Sequence, residues 1–125
     1  TRRSSDLPER HDAMIAYTSQ LMHVIAVSVC DNQELFSCVG FEGGSFRDCT
    51  RVAALDAAMW TQLFALNAPA LGSVLEELEG RLHEYRAAIQ SGDREGLHAM
   101  LACASGRKKQ IDLERARGDD VHPKF

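Results

Sequence analysis

Apolar residues recur at helical spacing along most of this chain, and two stretches carry the pattern furthest. The first predicts a helix from about Pro8 to Cys30, capped by Ser5 or Asp6, with Pro8 in a first turn where its missing N–H costs nothing. Its second half, Leu21 to Cys30, is apolar nearly all round. Such a helix is covered on every side, in the middle of a bundle or at a subunit interface. The second stretch places Leu71, Leu75, Leu78, Leu82, Tyr85 and Ile89 at alternating intervals of four and three, a seam sustained for nearly three heptads. Asn67 and Pro69 start that helix, and Ser91-Gly92-Asp93 stops it and caps a last one carrying Leu97, Met100, Leu101 and Ala104.

Between these stretches the pattern breaks into shorter pieces. Asp31-Asn32 ends the first helix and caps a short one reaching Cys38. Gly40, Gly43 and Gly44 then mark the one place where the backbone turns freely or approaches something closely. A short helix is expected at about Asp48 to Leu55, and Asp56 caps another over Ala57 to Leu66. Beyond Gly106 the chain turns charged, and Arg115 to Phe125 reads as a loose tail, as does the start of the chain. The fold class is all-α, a helical bundle with one long central helix. Residues 1–7 read as a loose segment, 8–106 as the domain, and 107–125 as the charged end of the last helix and its tail.

Composition narrows the function more than the fold. With 125 residues, 45% hydrophobic and 26% charged, the chain is one globular domain that needs no metal or disulfide staple. A net charge of -4 without a basic stripe argues against nucleic acid. The run from Ala13 to Cys30 holds Ser19, Gln20, His23 and Ser28, too polar for a membrane span, and no signal peptide precedes it, so a cytoplasmic protein is expected. Thr1 in place of Met marks a trimmed start or a piece of something longer. Cys30, Cys38, Cys49 and Cys103 form no C-x-x-C pair, and reduced, partly buried thiols are expected. His11-Asp12 lacks a second ligand at i+4, and His83, His98 and His122 form no cluster, so no metal is expected. A phosphate-cradling glycine turn is also missing.

Three side chains carry candidate chemistry. His23 lies in the most apolar stretch, either as a core histidine satisfied by backbone or as a neutral imidazole at the floor of a pocket. Ser19 shares its helix face, with Gln20 beside it. Arg51, after the glycine-rich turn and near a helix start, clamps a carboxylate or pairs with Asp48. Trp60, the single tryptophan, packs a helix face.

Taken in order, the segments His11-Asp12-x-x-Ile15-Ala16-Tyr17-x-Ser19-Gln20-Leu21-x-His23, Gly43-Gly44-Ser45-Phe46-Arg47-Asp48-x-Thr50-Arg51-Val52-Ala53 and Met59-Trp60-x-x-Leu63-Phe64-x-x-Asn67 resemble the C-terminal helical domain of prephenate dehydrogenases. The likeness covers about residues 8–105. It implies a domain that dimerises and closes over prephenate or arogenate. NAD or NADP would be held by a Rossmann domain that is absent here and supplied upstream or in trans. It implies oxidative decarboxylation to 4-hydroxyphenylpyruvate in tyrosine biosynthesis, with His23, Arg51, Gln20, Ser19, Gly43 and Gly44 lining the substrate site and Asp48 and Trp60 at its entrance. No catalytic, cofactor or metal residue is assigned to this chain, which alone would be inactive. Many members read S-H-L-P-H where this chain reads Ser19-Gln20-Leu21-Met22-His23. The alternative is a stand-alone helical dimer, a non-catalytic ligand-binding or interaction module.

Overall fold

The computed structural model describes residues 2–118, with side chains from Leu7 onward. Among them there is no strand: α1 spans Arg2–Ile15, α2 Leu21–Cys30, α3 Glu34–Ser37, α4 Gly44–Thr50, α5 Ala57–Leu66, α6 Ala68–Ser91 and α7 Arg94–Gly118. The all-α expectation holds. The chain divides into two compact units, Thr1–Glu79 and Gly80–Phe125, the division falling within α6.

Several boundaries follow from local chemistry read in the sequence. Asp56 accepts the Met59 N–H at 3.1 Å and so starts α5. Asn32 does the same for Glu34 at 2.9 Å ahead of α3. At the end of α6 the Asp93 N–H bonds Ala88 C=O and the Gly92 N–H bonds Ile89 C=O, with Gly92 at φ +73°. This paired closure needs a left-handed residue, which glycine supplies without steric cost. Asp93 then turns its carboxylate to the Gly96 N–H at 2.9 Å and opens α7.

Other expectations are corrected. The first helix begins at Arg2, so Pro8 lies inside it and residues 2–7 are not a loose lead. It is also not continuous to Cys30: a π-helical turn occupies Ala16–Gln20, closed by a Leu21 N–H reaching the Ala16 carbonyl. Within it the Thr18 hydroxyl donates back to Met14 C=O at 2.6 Å, a local bond that competes with regular helix. α4 starts at Gly44, not Asp48, and gives way to a 3-10 turn at Arg51–Ala53. α7 continues through Gly118, where a tail was expected from Arg115; the Lys108–Asp112 ion pair and the Gln110–Glu114 bond one turn apart support that extension. Residues 119–125 lie outside the described residues, as does His122.

The core is built from few residues. Ala16, Leu21, Ala26, Leu71 and Ala88 are buried, and Gln20 is the one buried polar side chain among the described residues. α2 is covered only in part, with Met22 and Val29 nearly half exposed, so the single chain does not enclose it on every side. Along the α6 seam Leu71 is buried, while Leu82 and Ile89 stand in solvent. Of the cysteines, all free, only Cys30 is half-buried; Cys38, Cys49 and Cys103 are exposed, against the expectation of partial burial. By length and apolar composition alone the helical run Leu7–Cys30 meets the measure of a membrane span, which the sequence reading denied. One of its polar residues, Gln20, is nonetheless buried and bonded to Leu63 and Asn67 of the same domain.

Candidate functional site

The site is built on the π-helical turn and the first turn of α2. The π turn buries Ala16 and Gln20, leaving Gln20 only 5% exposed. A buried amide must find partners on both ends. The Gln20 Nε2 donates to Leu63 C=O at 3.3 Å, and its Oε1 accepts from Asn67 Nδ2 at 2.8 Å. Asn67, at the C-terminal end of α5, also donates from Nδ2 to Asp12 C=O at 3.0 Å. No buried side-chain polar atom among the described residues lacks a partner.

His23 follows one turn later. Its Nδ1 lies 2.9 Å from Ser19 C=O. A carbonyl can only accept, so Nδ1 carries a proton in this contact, and in the neutral ring Nε2 is then the acceptor. The imidazole lies on Trp60 with ring centroids 4.0 Å apart and planes inclined by 23°. Trp60 in turn meets Phe64 at 5.6 Å and 55°. The tilted Trp60–Phe64 contact suits the quadrupoles of the two rings. Both readings of His23 therefore find support: the ring has a backbone partner, yet it is half-buried with Nε2 unbonded among the described residues.

α4 and the Arg51–Ala53 turn both pack against α2. Arg51 is exposed and sits where α4 ends and the 3-10 turn Arg51–Ala53 begins. The expected pairing with Asp48 does not form, and Arg51 has no ion-pair partner among the described residues. Arg47 takes that role instead, reaching Glu42 at 3.8 Å. The Glu42 carboxyl is held below the ordinary carboxylate range, first by its own backbone N–H and more weakly by Arg47, with desolvation opposing.

Gly43 is extended and Gly44 opens α4; both are exposed, with open space where a side chain would stand. The left-handed residue of that loop is Gly40, at φ +89°. Asp48 is exposed on α4. The structure thus brings Ser19, Gln20, His23 and Trp60 together, and places Gly43, Gly44, Asp48 and Arg51 on neighbouring elements packed on the same helix. The sequence marks Asn67 as a helix start and as the last residue of the third family-like segment. Nothing in its local context signals a bond to a carbonyl 55 residues away.

A separate groove of about 320 Å³ lies between α6 and α7, lined by Tyr85, Met100 and Cys103 with Arg81, Glu84 and Arg107. No predicted site residue lines it. Among the described residues no cluster of ligands could hold a metal ion.

Residues 7–103 match the family model described as prephenate dehydrogenase, dimerization domain. The cyclohexadienyl dehydrogenase of Zymomonas mobilis subsp. mobilis is 41% identical over 91 residues, 68% of this chain and 31% of that protein. The prephenate dehydrogenase of Bacillus subtilis is 26% identical over 113 residues, 86% of this chain and 30% of that protein. In the crystal structure of Synechocystis arogenate dehydrogenase the fold recurs with a TM-score of 0.73 at 22% identity, over 83% of this chain and 40% of that one. The chain spans about a third of the length of the curated relatives it matches.

Proposed function

The chain belongs to the prephenate dehydrogenase dimerization-domain family, and on that premise we propose that it pairs with a second copy of itself and forms part of the substrate site of a cytoplasmic dehydrogenase acting on prephenate or arogenate. One observation carries the substrate reading: α2 bears an imidazole of defined tautomer stacked on Trp60, and the turn bearing the unpaired Arg51 packs on that same helix. A dianionic ring substrate needs a cation for a carboxylate and a neutral polar group for its hydroxyl. Arg51 takes the first role and His23 the second, with its Nε2 accepting from the hydroxyl. Ser19, Gly43 and Gly44 border the site, Gln20 supports it from inside the domain, and Asp48 and Trp60 stand at its entrance.

The residues present do not fit a dinucleotide. Among those described there is no strand, hence no strand–turn–helix to cradle a pyrophosphate. NAD or NADP, the hydride acceptor in such a reaction, is assigned to another domain, and this chain alone to binding and pairing.

Exposed apolar side chains support the pairing. In the first unit Phe36 and Phe41 are 80% and 87% exposed, with Leu66 exposed as well. Covering such a surface is what a two-fold partner does, with about 2,000 Å² or more buried in an obligate dimer.

Calorimetric titration of the chain with prephenate tests the site. Arg51→Ala is expected to weaken binding about ten- to a hundredfold, as for loss of a charge-assisted hydrogen bond, at unchanged melting temperature. A well-folded Arg51→Ala chain with native affinity refutes the assignment. Light scattering at micromolar concentration should give the mass of a dimer, and a monomer mass refutes the pairing.

A further inference from the structure

We propose that Gln20 and Asn67 are the positioning residues of this site: their amide–amide hydrogen bond clamps the π-helical turn to the end of α5 and so fixes the tautomer and seat of His23. The inference rests on the proposed role of His23 as a substrate contact. The carbonyl that accepts the His23 Nδ1–H is that of Ser19, and it belongs to the peptide group joining Ser19 to Gln20. The contacts of the Gln20 side chain thus anchor the residue that shares this peptide group, and with it the turn that presents the carbonyl.

Gln20 is held at both ends of its amide by one helix, at Leu63 C=O and at Asn67 Nδ2. Trp60, on which the imidazole lies, belongs to that helix as well. Trp60, Leu63 and Asn67 are spaced by three and four residues and share one face of α5. Two tethers thus run from one helix face to two successive turns, one to the Gln20 amide and one to the His23 ring. Asn67 extends the clamp to α1 through Asp12 C=O.

The consequence is specific. An imidazole free in water exchanges its proton between both nitrogens; here the oriented Ser19 carbonyl selects Nδ1–H and reserves Nε2 as an acceptor. Gln20 is then assigned to holding the ring, not to touching the ligand. The Gln20 amide spends one N–H and one oxygen lone pair on partners inside the domain.

Nitrogen-15 NMR of the histidine rings at alkaline pH, with the His23 signals identified by their loss in His23→Gln, tests this alongside prephenate titration of the same samples. Gln20→Ala is expected to keep the helical circular dichroism, to convert His23 from the Nδ1–H form to a mixture of tautomers, and to weaken prephenate binding about three- to tenfold. Should Gln20→Ala lose helicity, Asn67→Ser, at a half-buried position, carries the same two measurements. An intact Nδ1–H tautomer in folded Gln20→Ala or Asn67→Ser overturns the clamp. A mixed tautomer with native affinity overturns its role in binding. A native chain that fails to bind prephenate, while its tautomer still depends on Gln20, overturns the substrate reading and supports the clamp.

Discussion

The two compact units are held by different kinds of interaction. In Thr1–Glu79 the ties run between residues far apart in sequence: Gln20 to Leu63 and Asn67, Asn67 to Asp12, His23 to Trp60. In Gly80–Phe125 the ties are local, three to five residues apart: Arg81 with Glu84, Lys108 with Asp112 and Gln110 with Glu114 through side chains, and the Gly92–Asp93 closure through backbone. Long-range polar ties fix one arrangement of side chains, which a binding site needs. Local ties fix only that a helix forms and where it turns. The candidate site falls in the first unit, and the exposed half of the α6 seam in the second.

The largest expected effect tests the contrast in packing. Leu21→Ala removes a side chain only 4% exposed and should cost about 2–5 kcal/mol in urea unfolding. Leu101→Ala, at 53% exposure on α7, should cost less than about 0.5 kcal/mol. Equal losses would break the comparison; a Leu101→Ala cost that grows with protein concentration would show a partner covering α7.

Next in size is the turn between α6 and α7. Gly92→Ala forces a Cβ into left-handed backbone and should cost about 1–2 kcal/mol. Gly43→Ala, where the backbone is extended and space is open, should change stability by less than about 0.5 kcal/mol. Thermal melts of the two variants rank them directly.

The smallest effect sharpens the contrast on the C-terminal side. The Lys108 ammonium, by hydrogen bond first, holds the Asp112 carboxyl below the ordinary carboxylate range. A depressed pKa stabilises the fold above the unfolded-state value, and that contribution is lost as pH falls through the folded one. The pair is exposed, so the change is slight and salt-sensitive. Circular dichroism melts at acid and neutral pH should show Asp112→Asn losing part of the native pH dependence, and less of it in high salt.

Much of the fold is legible without coordinates, because its signals act within a turn or two. Asp56 caps the helix it precedes, Gly92 ends the one it follows, and the alternating seam sets the length of α6. The likeness of the three ordered segments to a dehydrogenase family was legible in the same way and agrees with the match over residues 7–103. The candidate site was legible as residue types and not as geometry. His23 and Trp60 stood out singly, and their stacking across 37 positions did not.

What the sequence by itself determined is therefore the helical class, the caps and stops, and which residues stand as candidates for a site. Tertiary structure alone decided that Pro8 to Cys30 breaks at a π-helical turn, that Arg51 stands at the junction of α4 and a 3-10 turn, and that Asn67 joins α1, the π turn and α5. The reason is physical. A cap or a left-handed glycine is satisfied by neighbours the chain supplies within a few residues, whereas a buried amide such as Gln20 takes whichever partner packing brings within reach.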